Sequence, residues 1–527
     1  MTGPLSRPLA WWAPFIAGLS CSWWAFLGWL TVIPNQDMLS DAIQVQSVIH
    51  APRVVLAFPG QKHAGTIEYP LQILAELAAP SNFYAHTAPR IALAFLTGFV
   101  TVKLFQTLMP KARLWALLIA IAVGPAIMHG LSGPEGNAVG VWWLVGNYDM
   151  SWLLVTTGAW VLARFLRAAP LQQQTIARVW LSLGGAGLLV GLGFFAHPNI
   201  TLLILPLATL VLVLLPIRIW QVAVLGIGFV VGAAPAAVSY VVNADITTWD
   251  PSHPPFVAAS VYLNVLGLNG VPDYLTTVLP SALGLPTTHD LFSGTTQSVL
   301  CWVFVIAMSL SSLVGIVRAI VKRSRLTIGA ALALSWCASF AAMILFATFV
   351  DPVWFYATSL SILLWISIGA LPEVLPWKQI GTVAAIAAIA LMAVSMVSQS
   401  WYFYKQPISR MQDKRDYLRN IQQTAQQLEG AGARIIYGSY YDVVPIGYGS
   451  DYGLRTITNT YDRIPLTKEE LAAGPYTVAV NEHPTHEWAA DSLENVRKNC
   501  TALDRHVVAP MGEFGLYDCP AQALVSS

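Results

Sequence analysis

The sequence predicts a mainly α-helical protein that crosses a membrane many times, and three observations support this. Hydrophobic residues make up 56% of the 527 positions and charged residues only 10%, whereas charged residues make up about a quarter of a soluble domain. Apolar runs of membrane-spanning length recur along residues 1–401. The chain also contains 20 Trp, a residue that is enriched at membrane–water interfaces. We therefore predict a polytopic membrane protein.

A spanning helix needs about 20 predominantly apolar residues, and we count about eleven such runs. The first lacks a small-residue cleavage motif before Pro34, so we interpret it as an uncleaved span and not as a signal peptide. The predicted spans are Trp11–Ile33, Ala88–Met109, Leu114–Leu131, Trp152–Leu166, Val179–Phe195, Thr201–Leu215, Trp220–Val242, Val299–Val317, Ile328–Val350, Trp354–Leu371 and Ile380–Val397.

The distribution of Lys and Arg predicts the orientation, because short cytoplasmic loops are enriched in both. Basic residues occupy alternate connections, and connections such as 132–151 and 243–297 contain none. We expect a cytoplasmic N-terminus and an extracytoplasmic tail in the inner (plasma) membrane. The formal net charge of +1 offers no basic surface for nucleic acid. The basic groups are Arg7, Lys111 with Arg113, Arg164 with Arg167 and Arg178, Arg218, Lys322 with Arg323 and Arg325, and Lys378.

The tail differs in composition from the rest of the chain. Residues 402–527 carry 27 of the 55 charged residues, which predicts a small soluble α/β domain outside the membrane. We predict helices at Ser409–Leu428, ended by Gly430, and at Ala489–Lys498, with strands at Arg434–Tyr437, Tyr476–Val480 and Val507–Ala509. The glycine-rich stretch Gly447–Gly453 lacks dinucleotide-fingerprint spacing, so we assign it no nucleotide.

The five cysteines fall into two groups. Cys21, Cys301 and Cys337 lie in apolar spans, where a small buried hydrophobic residue is the ordinary role. Cys500 and Cys519 lie in the polar tail, where an extracytoplasmic location favours a disulfide over two free thiols. The sequence contains no HExxH or CxxC motif, so it predicts no metal site of those types.

The first outer loop, residues 34–90, has charges of both signs. Asp37 and Asp41 are four residues apart, so a helix starting here would place both on one face. A carboxylate facing an aqueous cavity can accept a proton from a hydroxyl. Only one of the two needs to be that base; the other could orient an acceptor or help to bind a divalent ion. The charged residues are Asp37, Asp41, Glu68, Glu76, Arg53, Lys62 and Arg90.

The second large outer loop, residues 243–297, is acidic and contains the apolar stretch VAASVYLNVLGL, which is too short to span. We expect it either to cover the outer cavity from the membrane interface or to be an ordinary surface loop. His197 closes the fifth predicted span on the same outer side. These segments place the polar groups of the first 401 residues at one face of the membrane.

Short motifs in the first loop resemble a known family. They are Ser40-Asp41-Ala42, Phe58-Pro59-Gly60-Gln61 and Gly65-Thr66-Ile67-Glu68; GLGFFAHP at Gly191–Pro198 and Gly438–Asp442 of the tail add to them. With the predicted topology, the chain resembles the GT-C superfamily of polyprenyl-phosphate-sugar glycosyltransferases, and within it the bacterial family-39, protein O-mannosyltransferase-like proteins. Ala42 departs from the pattern, since an acidic residue often follows the family Asp.

The resemblance implies a GT-C-like transmembrane catalytic domain over 1–401 and an extracytoplasmic domain over 402–527. It implies inverting sugar transfer from a polyprenyl phosphate to a glycan, lipid or protein acceptor hydroxyl, as in cell-wall glycan biosynthesis. Asp41 is the expected base, Asp37 the second choice, and Glu68 orients the substrate or the partners of Asp41. The one cofactor that we consider for this site is a divalent cation (Mg or Mn). The expected substrate-binding residues are Arg53, Gln61, Lys62, His63, Tyr69, Arg90 and His197.

Three other functions stay open. A transporter or flippase for a lipid-linked or polar solute would place ionisable groups near the bilayer midplane, where this sequence has few. An O-antigen ligase or polymerase would predict a late outer loop rich in Arg, and residues 243–297 contain none. A non-catalytic assembly subunit that binds a partner through its tail is the third alternative.

Overall fold

The architecture comes from a computed structural model, which describes residues 6–58, 61–109, 120, 148–168, 175–197, 218–242, 294–322, 327, 330–338, 407–458, 474–483, 490–520 and 523–524. The described part consists of long apolar helices, a polar first loop with its own secondary structure, and a C-terminal α/β unit. The predicted spans Leu114–Leu131, Thr201–Leu215, Trp354–Leu371 and Ile380–Val397 and the loop 243–293 lie outside these residues, apart from position 120.

Six long helices match predicted spans. Four described helices have the length and hydropathy of a membrane span, and together with the composition they indicate an integral membrane protein. The segment 330–338, within the predicted span Ile328–Val350, is also helical. The helices are α1 (Ser6–Thr31), α5 (Pro89–Leu108), α6 (Tyr148–Ala168), α7 (Ile176–Ala196, with a π-helical turn at Trp180–Gly184), α8 (Ile219–Val242) and α9 (Gly294–Val321).

Helices α1, α5, α6, α7 and α8 pack against one another in that order. Glycines bring α7 and α8 close together: a Cβ on Gly191 would lie 2.2 Å from the Phe229 carbonyl oxygen, and one on Gly228 would lie 2.2 Å from that of Gly184. Small residues allow such close backbone approach, which is a common way to pack helices in a membrane. Helices α7 and α8 therefore form a tightly packed pair.

The first loop is folded between α1 and α5. It contains α2 (Gln36–His50), the hairpin β1 (Ala57–Phe58) and β2 (Gln61–Gly65), α3 (Tyr69–Ala78) and α4 (Phe83–Thr87). The strand β2 of this hairpin contacts α7 and α8. At Gly65 a Cβ would lie 2.3 Å from the Phe195 carbonyl oxygen, so only glycine allows β2 to approach α7 this closely.

The tail forms a mixed five-stranded sheet with helices on both faces. Its strand order is β4-β3-β5-β7-β6, in which β3 is parallel to β4 and β5, whereas β7 is antiparallel to β5 and β6. The elements are α10 (Pro407–Gly430), β3 (Ile435–Gly438), α11 (Tyr440–Gly449), β4 (Arg455–Thr458), β5 (Tyr476–Asn481), α12 (Ala490–Asn499), β6 (Thr501–Ala509) and β7 (Gly512–Cys519).

Alternating residues of the tail sheet fill two cores, as the two-residue period of a strand requires. Ile436 packs with α10 and α11 on one face, and Tyr437 packs with α12 on the other. The predicted helices and strands of the tail are present, although β6 begins at Thr501, six residues before the predicted Val507. Residues 402–406 and the predicted boundary at 401/402 lie outside the described residues.

Cys500 and Cys519 are bonded to each other, with their Cα atoms 4.6 Å apart. The bond joins the segment entering β6 to the end of β7, which are neighbouring strands of the sheet. It closes a loop with a sequence separation of 19 residues around the β6–β7 hairpin.

Candidate active site

Five buried side chains of the first loop and the start of α5 form a cluster in which acidic and basic groups alternate. Arg90 Nη2 lies 3.1 Å from Asp41 Oδ2 and 3.1 Å from Glu68 Oε2. His86 Nε2 lies 3.9 Å from the same Asp41 oxygen, and its Nδ1 lies 3.9 Å from Glu76 Oε2. Each of the five residues is only 2% exposed. The order is therefore carboxylate, guanidinium, carboxylate, imidazole, carboxylate.

Helix α2 places Asp41 in this cluster. Asn35 caps the helix, because its side chain accepts a hydrogen bond from the Met38 backbone N–H, and such a cap stabilises a helix by about 1 kcal/mol. Met38, Leu39, Ala42 and Ile43 pack against α4 and the tail. Asp41 lies among these positions but contributes its carboxylate to the polar cluster.

Helix α3 has an inverted amphipathic pattern. Its buried side chains are Tyr69, Gln72 and Glu76, spaced three and four residues apart, so they share one face. The leucines of the same helix are outside: Leu74 is 65% exposed and Leu77 is 60% exposed. In water this arrangement is unfavourable, whereas it suits a helix with one face on a polar cavity and the other on lipid.

Asp41 is held through one oxygen. Gln72 Nε2 donates to Oδ2 at 2.8 Å, and Arg90 Nη2 donates to the same atom at 3.1 Å. Charge-assisted hydrogen bonds of this kind are stronger than neutral ones, so they fix the rotamer of the carboxylate. Oδ1 makes neither of these hydrogen bonds.

Glu76, at the other end of the cluster, is also held through one oxygen. Its Oε1 accepts from the Ser81 backbone N–H at 2.6 Å and from Gln46 Nε2 at 3.1 Å. Gln46 also donates to Ser81 Oγ at 3.2 Å. Both contacts involve Oε1, which leaves Oε2 directed at His86.

Tyr69 connects α3 to α2, since its hydroxyl donates to Gln44 Oε1. Burial raises the pKa of Tyr69 well above its usual value, and the charge of Asp41 raises it further, against a lowering effect of Arg53. The phenol therefore stays protonated and acts as a donor. Arg53 is placed beside this pair, with its Nη2 3.5 Å from Ser47 Oγ.

The tail covers α2 next to the cluster. Tyr440, at the start of α11, donates from its hydroxyl to Ser40 Oγ at 3.1 Å, and Ser40 directly precedes Asp41. Tyr448 packs on Phe83 of α4, with ring centroids 6.2 Å apart. Burial raises the pKa of Tyr448 well above its usual value, and the negative charge of Glu76 adds to this.

A buried lysine fastens the tail to the helical unit. Lys414 of α10 donates from Nζ to the Trp29 carbonyl oxygen near the end of α1. The same ammonium lies 5.1 Å from the Phe83 ring centroid and 4.6 Å from that of Tyr84, within the range of cation–π attraction. The tail and the first loop therefore share one packed interface.

The structure brings together some of the sequence-predicted residues. Asp41, Glu68 and Arg90 are in direct contact, and Tyr69 and Arg53 lie beside them. His197 is buried at the end of α7, where its carbonyl oxygen accepts from Ser151 Oγ at 3.1 Å. Helix α2 includes both Asp37 and Asp41, so the helix on which their predicted placement on one face depends is present. The side chains of Asp37, Gln61, Lys62 and His63 lie outside the described residues.

Sequence reasoning missed His86 and Gln72, and it gave Glu76 no role. One signal was available. The polar positions 69, 72 and 76 share a helix face while Leu71, Leu74 and Leu77 share the other, which marks a helix whose polar side is functional or structural. His86 carries no comparable signal, because a single histidine near a span boundary is usually interfacial.

A divalent cation does not fit the described cluster. Arg90 lies between Asp41 and Glu68, and His86 lies between Asp41 and Glu76, so a basic side chain already occupies the position between each of these pairs of carboxylates. Within the described ranges no group of three His, Cys, Asp or Glu residues could hold a metal ion.

No model of a known protein family and no curated protein sequence matches the chain. Its structure is similar, at low identity, to that of the oligosaccharyltransferase AglB from Archaeoglobus fulgidus in complex with an inhibitory peptide and a dolichol-phosphate, with 13% identity, a TM-score of 0.46, and coverage of 98% of this chain and 74% of that one.

It is also similar to ArnT from Cupriavidus metallidurans bound to undecaprenyl phosphate, with 11% identity, a TM-score of 0.48 and 97% coverage of both chains. The Archaeoglobus fulgidus oligosaccharyltransferase tethered to an acceptor peptide gives 13% identity, a TM-score of 0.47, and coverage of 99% and 75%. Because all three TM-scores lie below 0.5, we base the functional proposal on the side-chain cluster and the sequence.

Proposed function

We propose that the chain is a membrane glycosyltransferase that moves a sugar from a polyprenyl-phosphate donor to an acceptor hydroxyl, with Asp41 as the general base. The observation that supports this best is the fixed carboxylate of Asp41. Its Oδ2 is held by Gln72 and Arg90 at 2.8 and 3.1 Å, so Oδ1 remains for the acceptor. A general base must have such a defined orientation toward the proton that it removes.

The proposed reaction is a direct displacement. Asp41 Oδ1 takes the proton of the acceptor hydroxyl, whose oxygen forms a bond to the anomeric carbon from the side opposite the phosphate. The bond from that carbon to the phosphate oxygen breaks, and its electron pair leaves with the phosphate. The configuration at the anomeric carbon therefore inverts. A phosphate ester leaves without a general acid, provided that positive charge or hydrogen-bond donors stabilise its oxygens.

Arg53 and Lys62 are the residues we propose for the donor phosphate. Arg53 lies next to Tyr69 at the edge of the cluster and is only partly buried. Arg90 was a further sequence candidate for this role, but its Nη2 is shared between Asp41 and Glu68. We therefore propose that Arg90 positions Asp41 and that Glu68 positions Arg90.

The leucine face of α3 supports a lipid-linked donor. Leu71, Leu74 and Leu77 are 41%, 65% and 60% exposed, while the opposite face of the same helix holds Asp41 through Gln72. An apolar surface within one helix diameter of the base would accommodate a polyprenyl chain next to the membrane surface. Soluble sugar nucleotides would need no such surface.

The tail is proposed to guide the acceptor. Tyr440 contacts Ser40, the neighbour of Asp41, so the acceptor would approach the base along the boundary between the tail and the first loop. We propose a catalytic unit over residues 1–401 and an accessory domain over 402–527. From the distribution of Lys and Arg, we propose that the N-terminus is cytoplasmic and that the cluster and the tail are extracytoplasmic.

A transfer assay tests this function. Purified protein in lipid nanodiscs is offered a panel of radiolabelled polyprenyl-phosphate sugars with a crude acceptor extract. We expect transfer by the wild type, and a loss of at least about 100-fold in Asp41→Asn. Asp416→Asn is the matched control, because Asp416 is an exposed acid of the tail. The product should have the inverted anomeric configuration.

The proposal fails if no donor is consumed by the wild type, or if Asp41→Asn transfers as fast as Asp416→Asn. Movement of the labelled donor across the bilayer of sealed vesicles, without its consumption, would instead identify a flippase.

A further inference from the structure

His86 is the buried ionisable side chain that the proposed reaction leaves without a role. It is 2% exposed, and neither ring nitrogen forms a hydrogen bond with any described residue. Each nitrogen instead faces a carboxylate oxygen at 3.9 Å, Nε2 toward Asp41 Oδ2 and Nδ1 toward Glu76 Oε2. A shift of less than 1 Å would bring either pair to hydrogen-bond distance.

If Asp41 and Glu76 are both ionised, the donors and acceptors of this arrangement match only one state of His86, the imidazolium. An ionised carboxylate is an acceptor alone, and a neutral imidazole has one donor nitrogen and one acceptor nitrogen. A neutral His86 would therefore direct a lone pair at one of the two carboxylates. An imidazolium has two donors and can serve Asp41 and Glu76 at the same time.

The charge of the cluster leads to the same state. Glu68, Asp41 and Glu76 are acids, and Arg90 is the permanent cation among them. With a neutral His86 the five buried groups would carry a charge of about −2, and with an imidazolium about −1. Burial of uncompensated charge is costly, so the protonated form is favoured.

The hydrogen bonds that Glu76 accepts leave one of its oxygens to interact with His86. Ser81 and Gln46 both bind Oε1, at 2.6 and 3.1 Å, which leaves Oε2 for His86. The groups that face the imidazole are Asp41 from α2 and Glu76 from α3. From the tail, Tyr448 lies within electrostatic range of Glu76, and its buried hydroxyl has no hydrogen-bond partner among the described residues.

We propose that His86 holds a proton between Asp41 and Glu76 and is thereby a positioning residue for the base. The imidazolium attracts Asp41 Oδ2, the atom that Arg90 also binds, and so keeps Oδ1 toward the acceptor. Glu76 acts through His86, since it stabilises the positive charge. The role assigned to Asp41 rests on the proposed function, whereas the charge on His86 does not.

The protonation state can be read by ¹⁵N NMR of histidine-labelled protein in nanodiscs, with the His86 signal assigned from its loss in His86→Gln or, if that variant does not fold, in His86→Asn. At about pH 8 an ordinary imidazole is neutral. We expect both nitrogens of His86 to remain protonated at this pH. His50 is the internal control, because its side chain is 45% exposed and faces a single carboxylate, Asp451, at 3.8 Å.

In Glu76→Gln, which keeps the size of the side chain, the His86 signal should change to that of neutral imidazole. A neutral His86 in the wild type at this pH would overturn the inference. Because the spectrum needs no turnover, a protein with protonated His86 and no transferase activity would refute the proposed function and leave the charge assignment intact.

The positioning role has a kinetic readout. We expect Glu76→Gln to lower kcat at least about tenfold, with the KM for the donor within about twofold. The alkaline limb of the rate profile should move to lower pH, because loss of a neighbouring negative charge weakens the hold on the proton. A lower yield of folded protein with an unchanged pH profile would mean that Glu76 and His86 only support the fold.

Discussion

Arg90 and Asp41 are 49 positions apart in the sequence, and a 3.1 Å contact between Nη2 and Oδ2 joins them in the structure. The contact connects the first turn of α5 with the middle of α2. Both residues are almost fully buried, so the pair ties Asp41 to the start of an apolar helix. The cluster of Glu68, Arg90, Asp41, His86 and Glu76 is built around it.

Replacing Arg90 should destabilise the protein strongly. In Arg90→Gln, Asp41 and Glu68 would be buried without their cation, which costs about 3–5 kcal/mol. We expect a large fall in the thermal unfolding midpoint in nanodiscs. The midpoint should recover partly in Arg90→Gln/Glu68→Gln, because this double variant removes one of the two unpaired buried carboxylates.

The control for this prediction is Arg419→Gln, since the Arg419–Asp416 pair is 59% and 54% exposed and such pairs contribute at most about 1 kcal/mol. Equal thermal unfolding midpoints for Arg90→Gln and Arg419→Gln would show that the buried cluster does not stabilise the fold.

Lys414 should make the docking of the tail sensitive to pH. Burial lowers the pKa of Lys414 from 10.5 to about 7. The unfolded chain therefore binds more protons than the folded one between these two values, and stability rises with pH across this window by at most about 1.4 kcal/mol per unit. Below about pH 7 Lys414 is protonated in both the folded and the unfolded chain, so this residue no longer makes stability depend on pH.

Thermal midpoints of the wild type and Lys414→Met between about pH 7 and pH 9 test this. We expect the wild type to gain stability relative to the variant as the pH rises. Lys498→Met is the control, because Lys498 is exposed on α12 and should leave the pH dependence unchanged. Parallel curves for the wild type and Lys414→Met would contradict the prediction.

Removal of the Cys500–Cys519 bond should weaken the tail sheet. The bond closes a loop with a separation of 19 residues, and a loop of about this size contributes roughly 3 kcal/mol through the entropy of the unfolded chain. We expect Cys500→Ser/Cys519→Ser to lower the resistance of the tail to proteolysis. Cys21→Ser, in a span, should not have this effect, and an equally resistant double variant would show that the sheet does not need the bond.

The proposed orientation predicts which surfaces a membrane-impermeant maleimide can reach in intact cells. Val508→Cys, at a position 77% exposed in β6, should be labelled without permeabilisation. Arg178→Cys, at an exposed position at the start of α7, should be labelled only after the cells are permeabilised. The reverse pattern would place the tail and the cluster in the cytoplasm.

Local patterns in the sequence were sufficient for several elements. Apolar length predicted α1, α5, α6, α7, α8 and α9, because a bilayer imposes a fixed thickness on any helix that crosses it. The helical pattern ending at Gly430 predicted α10, and composition predicted the α/β tail. The strands β4 and β7 and the helix α11 were missed, because their burial depends on neighbours distant in the chain.

The sequence by itself determined that this is a polytopic membrane protein with a charged first loop, and it singled out Asp41, Glu68 and Arg90 as candidates. Only the tertiary structure decided which charges meet. The contacts of Asp41 come from residues 31 to 49 positions away, and that of Ser40 from a residue 400 positions away. No local period encodes such separations, because they depend on how α2, α3, α5 and the tail pack.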